Sequence, residues 1–190
     1  MIRQTSTAWG LGTKLIHWTT AMLIIANIVG GVYLGRIFVF SNPDHHDRWL
    51  LFMNLHKTIG VLVLVFMPLR AVWTFSQPRP ELPAGMTLPH SIAARISVIS
   101  LYLAMICVPL MGLLLSLFAR AEFKLFGVFD LDSPFMRNKP LMETFRTLHQ
   151  ITAYCLLALV FIHICAALTH HFILRDDVLA RMAFRRKTAE

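Results

Sequence analysis

Four long apolar stretches, at about residues 15–38, 51–75, 93–118 and 147–173, divide this chain of 190 residues into spans and short polar connections. Each stretch is about as long as the ~20 residues a helix needs to cross a hydrocarbon core. Of the charged side chains, only Arg36, Lys57, Arg70 and Arg95 fall inside them. A backbone in lipid must satisfy its polar groups internally, so these spans are predicted to be helices. The expected fold class is therefore an all-α membrane protein, a four-transmembrane-helix bundle in one domain over residues 8–184, followed by a basic tail at 185–190. The connection at 74–92 holds Pro78, Pro80, Pro83 and Pro89 and is expected to be a stiff non-helical link. The 39–50 connection reads as a short polar turn. The longest, 119–146, is rich in phenylalanine (FKLFGVFDLDSPF) and is expected to cap the bundle at the membrane interface, with substrate binding as the alternative.

Composition agrees: 56% of residues are hydrophobic and 15% charged, where a soluble domain carries about a quarter charged. The net charge of +8 does not indicate nucleic acid, because no basic patch is interleaved with aromatics. Ten Lys and Arg lie on the side of the termini and the 74–92 link, and six of the ten acids lie on the other. The positive-inside rule then predicts a multi-pass inner-membrane protein with both termini in the cytoplasm. Arg185, Arg186 and Lys187 are expected to meet anionic lipid head groups. The first apolar run is too long for a signal peptide and shows no cleavage site. Cys107, Cys155 and Cys165 form neither CxxC nor CxxCH, which argues against a redox dithiol or covalently attached haem and favours small buried hydrophobes.

The histidines suggest the chemistry. His45, His46 and His90 lie in connections, but His17, His56, His149 and His163 lie within apolar spans, where an ionisable side chain is costly and needs a purpose. His149 and His163 are fourteen residues apart on the fourth helix. That is just under four turns, which puts both on one face about 21 Å apart. The spacing is too wide for one metal ion and suits two stacked macrocycles. Topology pairs His56 with His149 near one membrane face and His17 with His163 towards the other. The same fourteen-residue step from His17 reaches Gly31, and from His56 it reaches Arg70. Gly31 lets a flat ring approach the backbone, or simply serves helix packing. Arg70 offers charge to haem propionates, or snorkels to the interface. Zinc fits poorly, since its closed sites want four ligands close together. Iron held by two axial imidazoles has no open position and exchanges single electrons.

The sequence resembles the bacterial cytochrome b561 family, inner-membrane dihaem cytochromes that include superoxide oxidase. The matching pieces are LIHW around His17, LHKTIG and PLR around His56 and Arg70, LHQITAY around His149, and FIHICAALTHHFILRDDVLARM around and beyond His163. They follow one another in order over residues 8–184. The resemblance implies two haem b per chain, one on His17 and His163 at the cytoplasmic side and one on His56 and His149 at the periplasmic side. It also implies ubiquinone as electron partner. Two function classes follow: an enzyme that oxidises superoxide and reduces ubiquinone, or an electron-carrier subunit linking the quinone pool to a partner redox protein. No oligomeric state is legible. His170 and His171 end the fourth helix as a polar end at the interface, or His170 serves as hydrogen-bond donor or proton carrier for a quinone head group. Lys57, Lys124 and Arg146 are expected to form a positive funnel for an anion such as superoxide.

Overall fold

The computed structural model describes residue 5 and residues 9–37, 46–78 and 87–184. The basic tail 185–190, most of the 39–50 connection with His45, and residues 79–86 of the proline-rich link lie outside the described residues. Four long helices dominate: α1 (Leu11–Val32), continued by a π-helical turn (Tyr33–Ile37), α2 (His46–Phe75), α3 (Leu88–Ala119) and α4 (Lys139–Phe172). A two-stranded hairpin, β1 (Lys124–Leu125) and β2 (Phe129–Asp130), precedes α4, and a short α5 (Val178–Met182) follows it. All four long helices are long and apolar enough to cross a membrane. The chain is a multi-pass membrane protein.

The helices start earlier than the apolar runs, most of all α4, which begins at Lys139 rather than 147. Hydropathy marks where lipid begins, whereas capping decides where a helix begins. The Asn138 side chain accepts from the Leu141 N–H at 3.1 Å, and a proline sits in the first turn, where its missing N–H costs nothing. Pro89 corrects the expectation for the 74–92 link. It lies in the first turn of α3 instead of blocking a helix, for the same reason. Pro68 and Pro109 sit inside α2 and α3, as bundled transmembrane helices tolerate.

The helices pack in chain order, α2 on α1, α3 on α2 and α4 on α3. The innermost apolar cluster is Ile24, Val63, Met67, Leu101, Met105 and Leu156, with Met67 fully buried. Large apolar side chains such as Met22, Leu69, Val72 and Phe161 stay exposed on the outside, a surface suited to lipid. Cys155 and Cys165 are also exposed, so only Cys107, half-buried, approaches the buried role expected of the three.

At one end of the bundle the hairpin lies against α2. Its turn holds Phe126 and Gly127 at positive φ, a conformation glycine adopts without steric cost. The Lys124 N–H donates to Asn54 Oδ1, the Phe126 N–H donates to Thr58 Oγ1, and Lys57 Nζ donates to the Glu122 carbonyl at 2.8 Å. Phe123, 4% exposed, lies under the Lys57 ammonium. Phe118 stacks on Phe135 and on Phe145. The connection caps the bundle end as its phenylalanines suggested. Phe123→Ala is expected to weaken this seat by about 3 kcal/mol or more, read as faster tryptic cleavage at Lys124 while the helices stay intact. An unchanged cleavage rate contradicts the anchoring role.

The opposite, terminal end is closed by α5. Lys14 Nζ donates to the Ala183 carbonyl at 2.7 Å and Trp18 Nε1 to the Met182 carbonyl at 3.0 Å, tying the chain's last described turn to α1.

Candidate functional site

The fold brings the four span histidines into two pairs. At the terminal end the imidazoles of His17 (α1) and His163 (α4) lie 6.4 Å apart between ring centroids, tilted by 52°. At the hairpin end His56 (α2) and His149 (α4) lie 6.2 Å apart, with ring planes at 85°. A metal sits about 2.0–2.1 Å from an imidazole nitrogen and the ring centroid about 1.1 Å further, so two rings on opposite sides of one metal stand roughly 6.2–6.4 Å apart. Simple ring contact covers the same range. The nitrogens argue for more than contact. Among the described residues no hydrogen bond joins either pair, and His56 Nδ1 is buried without a partner. The Asn27 backbone lies close to the His56 ring.

The donor set also restricts the metal. Among the described residues no three His, Cys, Asp or Glu side chains converge, so a bare ion of the zinc type would lack its closed shell. A site with two trans imidazoles and nothing else suits a metal that arrives with its own equatorial donors. Haem is such a group.

The surroundings of the two pairs differ. His149 Nδ1 donates to the Val108 carbonyl at 2.9 Å, which leaves Nε2 with the lone pair. The ring over Gly31 is the His56 imidazole: a Cβ there would stand 3.0 Å from its Cε1. Gly112, the lone glycine of α3, stands in the same relation to His149 at 3.0 Å. Sequence reasoning gave α3 only packing. The signal it passed over was a single glycine in the apolar span 93–118, which holds no histidine.

Arg70 lies at the terminal end, where the fourteen-residue step put it. Its Nη2 stands 3.1 Å from His17 Nδ1, and the guanidinium lies over the Tyr102 ring at 5.4 Å. Arginine only donates, so in this arrangement His17 Nδ1 accepts and the neutral ring carries its proton on Nε2. Ligation through Nε2 needs the opposite tautomer, and therefore requires Arg70 to let go of His17.

Beyond His163, His170 lies two turns further along the same face of α4. Its Nδ1 pairs with Asp176 Oδ2, and Asp176 Oδ1 accepts from the Val178 N–H. Desolvation pushes the Asp176 carboxyl up. The hydrogen bonds from His170 and Val178, with the charges of His170 and Arg181, outweigh it and hold the group below its ordinary 3.8. Asp176 was not singled out from sequence. The expected positive funnel is largely spoken for: Lys57 is bound to the Glu122 carbonyl, Lys124 pairs with Glu122 and Asp130, and Arg146 pairs with Glu143.

Comparison with known proteins identifies the family. Residues 8–185 match the family model described as prokaryotic cytochrome b561. Cytochrome b561 homolog 2 of Escherichia coli K12 is 27% identical over 175 residues, covering 92% of this chain and 90% of that protein. Cytochrome b561 homolog 1 of the same organism is 28% identical over 173 residues, covering 90% and 94%. The probable superoxide oxidase CybB of Yersinia pestis is 26% identical over 170 residues, covering 88% and 90%. With four spans, two facing histidine pairs and a match along nearly its whole length, this chain belongs to the prokaryotic cytochrome b561 family of membrane cytochromes b.

Proposed function

We propose that the chain holds two haem b, one between His17 and His163 and one between His56 and His149, and passes single electrons between them and the quinone pool. The observation that carries this is the facing of two two-histidine sites, one towards each end of the spans. Held by these histidines, haem would supply one-electron transfer. The protein's part is to fix ring tautomers, exclude water and set potentials. Arg70, once released from His17, offers its charge to the propionates of the terminal-end haem. The charge pattern supports an inner-membrane protein with cytoplasmic termini and a periplasmic hairpin.

At the cytoplasmic end, the Asp176 carboxylate fixes the His170 ring through Nδ1 and leaves Nε2 for a ubiquinone head group, to donate a hydrogen bond or pass a proton. The relative named as a probable superoxide oxidase supports superoxide as the electron source. In that reaction two superoxide anions each lose one electron to become dioxygen, and one ubiquinone takes up two electrons and two protons. Rapid mixing of the oxidised protein with superoxide, and separately with ubiquinol, tests it. The expected result is fast haem reduction by superoxide and reoxidation by ubiquinone. Absent reaction with superoxide, alongside fast exchange with quinol, overturns the superoxide reading and leaves the carrier role.

A further inference from the structure

Two helices give no iron ligand to the hairpin-end pair, yet each touches one of its imidazoles. On α3, the Val108 carbonyl accepts from His149 Nδ1 at 2.9 Å. Four residues on, a Cβ at Gly112 would stand 3.0 Å from both Cε1 and Nδ1 of the same ring. Residues four apart in a helix are stacked neighbours, so the missing side chain at 112 bares the carbonyl one turn back. On α1 the same spacing recurs at His56. A Cβ at Gly31 would stand 3.0 Å from its Cε1 and 3.5 Å from its Nδ1. Four residues back lies Asn27, whose backbone is close to the His56 ring, and His56 Nδ1 is buried without a partner.

We propose that Val108–Gly112 and Asn27–Gly31 are two imidazole-holding notches, which fix tautomer and ring plane of the hairpin-end ligands. The proposal rests on the reading that His56 and His149 ligate haem. Each glycine lets the Cε1–Nδ1 edge of the ring approach a helix closely. The carbonyl one turn back takes the Nδ1 proton, leaving Nε2 for iron, the outer-shell arrangement usual for metal-bound histidine. At His149 this bond is already made. At His56 the proposed acceptor is the Asn27 carbonyl, towards which the ring must turn. Because the notches belong to different helices, each holds its own ring, and the planes stay crossed at 85°. The terminal-end pair, at 52°, is held differently, with Arg70 on His17. Gly31, Gly112 and the two carbonyls are positioning groups that act through the histidines.

The test compares Gly31→Ala and Gly112→Ala with Gly30→Ala, a position where a Cβ meets nothing within 4 Å. In membranes and after purification, the first two are expected to lower hairpin-end haem affinity about 10–100-fold. They should also shift that haem's potential and lower the highest g value of its ferric electron paramagnetic resonance signal, because crossed planes raise that value and added methyls turn the rings. Gly30→Ala and the terminal-end haem should not change, and that haem reports on folding. The unsubstituted protein gives a second measurement that needs no variant: its hairpin-end haem should show the large-g signal of crossed imidazoles. Both haems giving rhombic signals, or unchanged signals and potentials in Gly31→Ala and Gly112→Ala, overturns the notches. His149→Leu separates this from failure of the ligand reading: haem lost there but untouched in the glycine variants rejects the notches alone.

Discussion

Replacing His149 with leucine abolishes the low-spin b-type spectrum of one haem and leaves the other, so the purified protein falls from two such haems to one. Replacing His163 does the same to the other haem. The expectation follows from α4 supplying one imidazole to each pair, with His56 and His17 supplying the second. Leucine is apolar and suits a lipid-facing helix, so the change removes a ligand without burying a new polar group. The remaining histidine cannot hold a six-coordinate iron by itself. The affected haem either leaves or opens an axial position, and its sharp reduced band is lost. Reduced-minus-oxidised spectra with haem quantitation check this. Two low-spin haems persisting in both variants would refute the assignment of α4 as the shared ligand helix. The paired variants His56→Leu and His17→Leu should match His149→Leu and His163→Leu respectively, since either partner's loss disables the same site.

The second large effect is electrostatic. Arg70→Gln is expected to lower the midpoint potential of the terminal-end haem and leave the hairpin-end haem nearly unchanged. A fixed positive charge favours the reduced iron, which carries one positive charge fewer, so its removal favours the oxidised form. At an effective dielectric near 20, a unit charge about 8 Å from the iron is worth about 2 kcal/mol. For one electron, where a tenfold change is 59 mV, that corresponds to a drop of roughly 90 mV. Glutamine removes the charge but is shorter and also gives up the contact over Tyr102, so the lysine variant serves as the control. Arg70→Lys should restore much of the potential, because lysine keeps the charge although it lacks the fork. Redox titration in detergent, with the two haems separated by their midpoints, reads both. No shift on loss of the charge removes Arg70 from the haem environment.

These expectations draw unequally on sequence and fold. His17, His56, His149 and His163 were legible because lipid makes a buried histidine expensive, so four of them within apolar spans need an explanation. The fourteen-residue step was legible because helical geometry alone turns it into one face and two levels. Arg70 was placed at the right end by the same arithmetic. That step did not show the guanidinium against His17 Nδ1, because side-chain direction is settled between helices and not along one. Gly31 was expected beneath a flat ring. That the ring is the imidazole of His56 depends on how closely α1 and α2 pack.

The sequence by itself determined the number of spans, the bundle class and the histidines that face one another. Those properties follow from hydropathy and helical period, which are local. Only the tertiary structure decided where the helices begin, because Asn138 and the first-turn prolines cap them beyond the apolar runs. It alone placed Gly112 and Val108 of α3 against His149, folded the 119–146 connection into a hairpin over α2, and set Asp176 against His170. Each of these is a contact between segments far apart in the chain or across a turn. Its geometry is fixed by how closely two backbones approach, and no periodicity in the residues records that distance.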